Sequence, residues 1–174
     1  MSPYDLIPIT DELLLKWRLP SLAQSEGKED RGRVLVIGGS KQVPGGVKLA
    51  AEATLRVGAG KLQIATAASA QPSMGVCVPE AKVSAIREDS GGNIVRIGRD
   101  LERDVGNADA VLVGPGMETC AGSGRLVRQV ARACRSPLVL DAGALEGFRA
   151  SPQHMGPDCY AAFRGDGPFA GERI

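Results

Sequence analysis

The chain has 174 residues, with 21 Lys and Arg against 20 Asp and Glu, so its formal net charge is +1. This length suits one compact domain, which buries roughly two-thirds of the surface that its unfolded chain exposes. The balanced charge, with neither sign collected in blocks, argues against a nucleic-acid partner. No apolar run approaches the ~20 residues that a membrane-spanning helix needs, and the first ten residues lack the pattern of a secretory signal.

The four cysteines of the chain are widely spaced and form no C-x-x-C pair. They are Cys77, Cys120, Cys134 and Cys159, and the single histidine is His154. A structural zinc site needs about four clustered nitrogen or sulfur ligands. The pattern therefore predicts no metal site and favours isolated thiols in a reducing cytoplasm.

The first predicted elements are a short helix, a loop and a strand. Thr10 is the predicted N-cap of a helix that carries Leu13, Leu14 and Trp17. Residues 21–33 are polar and predict a connecting loop. Residues 34–37 are continuously apolar, which is typical of a strand that is covered on both faces.

The remaining chain alternates between helical and strand patterns. Apolar residues at helical spacing predict a helix that begins at Pro44-Gly45-Gly46 and ends at Gly58 or Gly60. Further strands are predicted at 62–64, 82–86, 110–113 and 138–141, and a further helix at 124–134. Its arginines, Arg125, Arg128 and Arg132, are predicted to form the solvent-facing side rather than a phosphate site. Such alternation is typical of a parallel sheet flanked by helices.

Three of the predicted strands run into bends that contain glycine. These bends are Gly38-Gly39-Ser40, Gly114-Pro115-Gly116 and Asp141-Ala142-Gly143. Ligands of open α/β sheets bind beyond the carboxyl ends of the strands, so we expect the three bends to share one edge and form a ligand site. Each bend alone is more typical of an ordinary tight turn, and only the three bends together indicate a site. The spacing fits neither a P-loop nor a G-x-G-x-x-G fingerprint, and the lack of G-x-S-x-G with one histidine disfavours a hydrolase triad.

Five blocks in order resemble the NAD(P)H-hydrate dehydratases of the ribokinase-like superfamily. They are residues 32–40, 44–60, 78–81, 108–117 and 137–145, and the resemblance covers about residues 10–148. It implies a ribokinase-like three-layer α/β/α fold with a mostly parallel sheet, of which this chain holds the N-terminal part.

The resemblance also implies a reaction and a substrate site. Family members use ADP or ATP with Mg²⁺ to phosphorylate the hydroxyl of hydrated NADH or NADPH, and loss of phosphate restores the cofactor. The substrate would be held by the backbone near Gly46 and Gly116, and Asp141 would orient a ligand hydroxyl or a bound water. A turn or helix-capping role for Asp141 stays open. The family commonly has alanine at the position of Gly46, a difference that a backbone contact is expected to tolerate. Relatives assemble as tetramers.

The second half of the family pattern does not occur in these 174 residues. Family members carry T-P-H-x-G-E, a K-G segment at the nucleotide and G-G-T-G-D, whose Asp is the expected catalytic base. We therefore expect no catalytic residue in this chain, a partial dehydratase domain over residues 1–148, and an aberrant, disordered tail over residues 149–174. His154, Cys159 and Tyr160 are expected to have no function.

Possible codons for the last residues offer an explanation for the missing family blocks. With suitable synonymous codons, residues 156–174 translated one nucleotide later give G-R-I-V-T-P-H-S-G-E-M, which contains a missing family block. The hypothesis is a one-nucleotide frameshift between Leu145 and Gly156. The alternatives to an incomplete dehydratase are another ribokinase-like kinase, acting on a vitamin or thiazole alcohol, and a non-catalytic nucleotide-binding remnant.

Overall fold

A computed structural model describes residues 10–16, 25, 27–149, 159–161 and 172–173. The helices are α1 Asp11–Lys16, α2 Pro44–Arg56, α3 Gln71–Cys77, α4 Arg99–Gly106, α5 Ser123–Ala133 and α6 Gly143–Arg149. The strands are β1 Arg33–Ile37, β2 Lys61–Ala67, β3 Lys82–Glu88, β4 Ile94–Arg96, β5 Ala110–Val113, β6 Leu138–Leu140, β7 Cys159–Ala161 and β8 Glu172–Arg173.

All eight described strands form one sheet in the order β4-β3-β2-β1-β5-β6-β7-β8. The six inner strands are parallel, and β4 and β8 pair antiparallel at the two edges. β1 lies between β2 and β5, with Val34 opposite both Leu62 and Ala110. The predicted α/β class with a mostly parallel sheet is confirmed.

Helices cover both faces of the sheet, because successive residues of β1 point to opposite sides. Val36 packs in a cluster with α2 and α3, whereas Leu35 and Ile37 pack in a larger cluster with α4, α5 and α6. Both clusters consist mainly of Ala, Val, Leu and Ile, as expected for a chain with 3% aromatic residues. The result is the three-layer arrangement that the family resemblance implies.

The two helices at the start of the chain begin and end near the predicted residues. At α1, the backbone N–H of Leu13 donates to the Thr10 hydroxyl at 3.2 Å, so Thr10 is the N-cap. α2 begins at Pro44, and the chain turns away at Gly58, whose φ is +101°. Trp17 lies outside the described residues.

The predicted helix at 124–134 is α5, which starts one residue earlier than expected. Arg125 and Arg132 are exposed, whereas Leu126 and Val130 are buried, so the arginine side faces solvent as predicted. No helix among the described residues is long and apolar enough to cross a bilayer.

Two short strands occur within residues 149–174, where the sequence predicts a disordered tail; residues 150–158 and 162–171 lie outside the described part of the chain. β7 pairs parallel with β6, with Leu138 opposite Cys159, and β8 pairs antiparallel with β7. A strand added at a sheet edge is held by backbone hydrogen bonds, so it needs no apolar pattern in its side chains. His154 lies outside the described residues.

Candidate functional site

The three glycine-containing bends are in direct contact at the carboxyl edge of the sheet. The N–H of Gly39 donates to the carbonyl of Pro115 at 2.7 Å, which joins the bends after β1 and β5. The N–H of Asp141 donates to the Val113 carbonyl at 2.8 Å, which places the third bend beside the second. The expectation that these bends share one edge is confirmed. We call the surface formed by residues 38–46, 114–117 and 141–143 the rim.

Gly46 and Gly116 meet where the first turn of α2 touches the second bend. A β carbon added to Gly46 would lie 2.5 Å from the Gly116 nitrogen and 2.7 Å from its Cα. Gly116 itself has φ +71° and approaches the Val43 carbonyl too closely to carry a side chain. Alanine, the residue that the family resemblance implies at position 46, therefore does not fit in this chain unless the two backbones separate. The expectation that a backbone contact to the substrate tolerates glycine at this position stays a prediction.

Asp141 directly follows β6 and lies at the start of the third bend. Its carbonyl accepts a hydrogen bond from the Ala144 N–H at 3.0 Å, and its carboxylate does not cap α6 within the described part of the chain. Ala142, the next residue, has φ +44°, a left-handed conformation that alanine rarely adopts. Non-glycine residues held in such conformations cluster at functional sites. The half-buried carboxylate is therefore placed at a strained bend on the rim.

Two buried hydroxyls lie in or beneath the first bend. The Ser40 hydroxyl accepts from the Val43 N–H at 3.1 Å and closes the loop that leads into α2. Thr66 on β2 is fully buried, and its hydroxyl oxygen has no hydrogen-bond partner among the described residues. That oxygen is 2.6 Å from the point that a β carbon on Gly39 would occupy. The sequence analysis missed Thr66, although it is the one hydroxyl in the otherwise apolar end of β2.

The rim is built mainly from backbone atoms and carries little charge. Lys41 is its one cationic residue and Asp141 its one acidic residue. Lys48, the next cation along α2, forms an ion pair with Glu52. Such a surface can offer backbone N–H and carbonyl groups to a ligand that approaches closely, with one charge of each sign for orientation.

The described residues do not fit a metal centre. Among them, no group of three or more His, Cys, Asp and Glu side chains could hold a metal ion. Cys77, Cys120 and Cys134 are free thiols. The Mg²⁺ that the family resemblance implies therefore has no ligand set in this part of the chain, and no chemical step here is assigned to it.

A cavity of about 460 Å³ opens at the opposite edge of the sheet, near the start of β1 and β2. Its walls include Asp104, which accepts hydrogen bonds from Gln63 at 2.5 Å and from Lys82 at 3.0 Å. Partial burial raises the pKa of this carboxyl, but the two hydrogen bonds and the Lys82 charge lower the pKa by more, so the net shift is downward. These charges are satisfied by one another, and parallel α/β sheets bind ligands at the other edge. We therefore place the candidate site at the rim.

Comparison with known proteins identifies the family. The sequence model of the Carb_kinase family, described as NAD(P)H-hydrate dehydratase, matches residues 34–160. The ADP-dependent (S)-NAD(P)H-hydrate dehydratase of Xanthomonas campestris is 49% identical over 126 residues, which are 72% of this chain and 44% of that protein. The bifunctional NAD(P)H-hydrate repair enzyme Nnr of Coxiella burnetii is 34% identical over 82% of this chain and 28% of its own length. The chain thus spans less than half the length of these curated relatives.

Solved structures agree with this assignment. The ADP/ATP-dependent NAD(P)H-hydrate dehydratase of Bacillus subtilis, co-crystallised with ATP and Mg²⁺, is 26% identical with a TM-score of 0.62, over 82% of this chain and 48% of that one. A ribokinase-like superfamily protein of Enterococcus faecalis shares the fold with a TM-score of 0.73 at 22% identity, over 87% of this chain and 52% of that one. The predicted family and fold are confirmed. Because the family match covers well over half of its residues, this chain belongs to the NAD(P)H-hydrate dehydratase family.

Proposed function

We propose that this chain carries the substrate-binding part of an enzyme that converts hydrated NADH and NADPH back to NADH and NADPH at the expense of ADP. The observation that carries the proposal is the rim, where three glycine bends form one continuous backbone surface. ADP is proposed as the phosphoryl donor because the Xanthomonas relative, 49% identical, is ADP-dependent by name. A kinase for a vitamin alcohol is disfavoured by the same comparison.

The proposed chemistry assigns two tasks to the residues of the rim. Hydroxide is a poor leaving group, so the hydroxyl of the hydrated ring must first receive a phosphoryl group, which the nucleotide supplies. The backbone near Gly46 and Gly116 would hold the substrate in the crevice beyond β1 and β5. Asp141 would accept a hydrogen bond from the substrate hydroxyl or a bound water and so fix its orientation. The described residues supply no metal ligand set.

We further propose that these 174 residues bind the substrate without turning it over. The G-G-T-G-D block that would carry the catalytic Asp does not occur in the sequence. Isothermal titration with (S)-NADPH hydrate and with ADP tests this proposal, together with absorbance at 340 nm to detect NADPH formation. We expect heat of binding for NADPH hydrate and no rise at 340 nm. Lack of NADPH hydrate binding would refute the assignment of the rim.

A matched pair of variants shows whether that binding occurs at the rim. Gly116→Ala introduces a β carbon that overlaps the Val43 carbonyl, whereas Gly75→Ala adds one to α3 with no atom within 4 Å. We expect weaker NADPH hydrate binding for Gly116→Ala alone. Equal binding by both variants would place the ligand elsewhere on the chain.

We propose that the reading frame changes by one nucleotide between Leu145 and Gly156, and that residues 149–174 form an aberrant tail in sequence, although two short segments of it extend the sheet. The T-P-H-S-G-E block available in the shifted frame supports this proposal. The nucleotide sequence tests it: the shifted frame must encode that block. A gene with the frame restored should then yield a chain that forms NADPH from NADPH hydrate and ADP. We propose that this longer enzyme acts in the cytoplasm as a homo-oligomer, which size-exclusion chromatography of the frame-restored protein would test.

A further inference from the structure

The loop between β1 and α2 is fastened to a distant turn of the chain. The turn comprises residues 89–93 and connects β3 to the antiparallel edge strand β4. The N–H of Lys41 donates to the Gly92 carbonyl at 2.9 Å, and the Gln42 side-chain amide donates to the Gly91 carbonyl at 2.7 Å. A segment some 50 residues away in sequence therefore sets the position of a rim loop.

The 89–93 turn is itself tightly held, so it is a firm support for that loop. The Asp89 carboxylate accepts from the N–H groups of Gly91 at 2.9 Å and Asn93 at 3.0 Å. These backbone hydrogen bonds lower the pKa of Asp89, so the carboxylate stays ionised at neutral pH. Gly92 is buried with φ +82°, and a β carbon on it would overlap the Cβ of Lys41. Only glycine at position 92 lets the Lys41 stem pack against the turn.

Lys41 is the one cation that the rim offers to a ligand. Its side chain is exposed, and it has no ion pair among the described residues. NADH and NADPH are dinucleotides joined by a pyrophosphate, so any hydrated form carries at least two phosphate groups with negative charge. A lysine ammonium is a suitable point-charge partner for phosphate, and backbone amides alone leave that charge unbalanced.

From these contacts we propose that Lys41, held in place by the 89–93 turn, binds a phosphate group of the dinucleotide substrate. This inference rests on the proposed function. Lys41 is then a specificity residue that touches the ligand, and Gly92 is a positioning residue that acts through it. The predicted site residues Gly46, Gly116 and Asp141 would contact the nicotinamide half, and Lys41 the phosphate half.

The first experiment compares Lys41→Ala and Lys41→Arg in the 174-residue chain by fluorescence titration with two probes. NADPH carries phosphates, whereas reduced nicotinamide riboside carries none. Because a hydrogen bond to a charged group is among the stronger ones in proteins, Lys41→Ala should weaken NADPH binding about tenfold or more. Lys41→Arg should restore most of the loss, and riboside binding should not change. Added salt should weaken NADPH binding to the native chain and leave Lys41→Ala unaffected.

The second experiment tests the positioning role with Gly92→Ala and the control Ser90→Ala, which alters an exposed residue of the same turn. Gly92→Ala should weaken NADPH binding as Lys41→Ala does, leave riboside binding unchanged and speed hydrogen exchange at the Lys41 amide. Ser90→Ala should change none of these. Failure of the native chain to bind either probe would refute the proposed function and this inference together. Normal NADPH binding by Lys41→Ala would refute the inference alone, because the native chain would still bind.

Discussion

The contact between Gly46 and Gly116 predicts opposite effects on stability for alanine substitutions at two neighbouring glycines in the first turn of α2. Gly45→Ala and Gly46→Ala add the same methyl group to adjacent positions of one helix. A β carbon at Gly45 meets no atom within 4 Å, whereas one at Gly46 lies 2.5 Å from the Gly116 nitrogen. We expect the first change to stabilise the chain and the second to destabilise it, although alanine is the residue common in the family at position 46.

The magnitudes follow from helix propensity and from overpacking. Alanine in place of glycine raises helix stability by up to about 1 kcal/mol, so Gly45→Ala should gain between zero and that amount. Forcing an extra carbon into a packed contact costs about 1–3 kcal/mol. The two variants should therefore differ by roughly 2 kcal/mol in the free energy of unfolding. In a chain of this length, that difference corresponds to about 4–8 °C in Tm.

Urea unfolding followed by circular dichroism at 222 nm measures this difference directly. The m-value should be the same for both variants, since neither changes the surface exposed on unfolding. If Gly46→Ala proves as stable as Gly45→Ala, the bends after β1 and β5 are not in contact as described, and the rim as a single backbone surface would have to be abandoned.

Three further predictions concern buried and charged groups. Thr66→Val should raise the free energy of unfolding by about 1 kcal/mol or more in the ligand-free chain, because it removes a buried hydroxyl that has no partner among the described residues. Urea unfolding measures this change, and a lower free energy of unfolding would show that the hydroxyl is hydrogen-bonded. Gly114→Ala should abolish the yield of soluble folded chain, because Gly114 has φ +127° and a β carbon on it would overlap the Asp141 carbonyl. A near-native yield on expression would contradict this contact. Hydrogen bonds from Lys61 and Arg33 lower the pKa of Glu29 below its ordinary value. The ionised Glu29 carboxylate therefore stabilises the fold at pH values above the ordinary pKa, and this stabilisation is lost as the pH falls through the lowered pKa. The Tm difference between the native chain and Glu29→Gln should therefore shrink from pH 6 to pH 3, and a constant difference would refute the ion pairs.

The elements that sequence predicts well are those whose burial leaves a long, one-sided pattern. The strand at 34–37 is apolar at every position because both of its faces are covered, and α2 carries an apolar stripe over more than three turns. The missed elements lack such a signal. α4 has only Leu101 and Val105 as buried residues among six polar or glycine positions, and α3 contains Pro72 and Gly75, which disfavour helix. Their tertiary contacts, which a local pattern does not contain, determine these helices.

At the rim, too, features that depend on local sequence are predicted and features that depend on tertiary contacts are not. The rule that ligands bind at the carboxyl ends of parallel strands predicts from the sequence that Gly116 and Asp141 lie on one edge of the sheet. The sequence analysis did not identify Thr66, the strained Ala142 or the turn at 89–93 as parts of this region. Thr66 depends on the place of β2 in the sheet, the turn on its hydrogen bonds with Lys41 and Gln42, and Ala142 on a dihedral angle, and residue spacing encodes none of these. The close approach that excludes a side chain at Gly46 has the same origin, since it involves a backbone 70 residues away.

A ligand surface formed by main-chain atoms has an evolutionary consequence. Most side chains around it can change without altering its shape, because every residue type supplies the same peptide groups. Relatives that share only about a third of their residues with this chain can therefore keep the same crevice. Selection should act mainly on the few positions where two peptide planes nearly touch. Substitutions at other positions should change the charge around the crevice more readily than they change the shape of its main-chain surface.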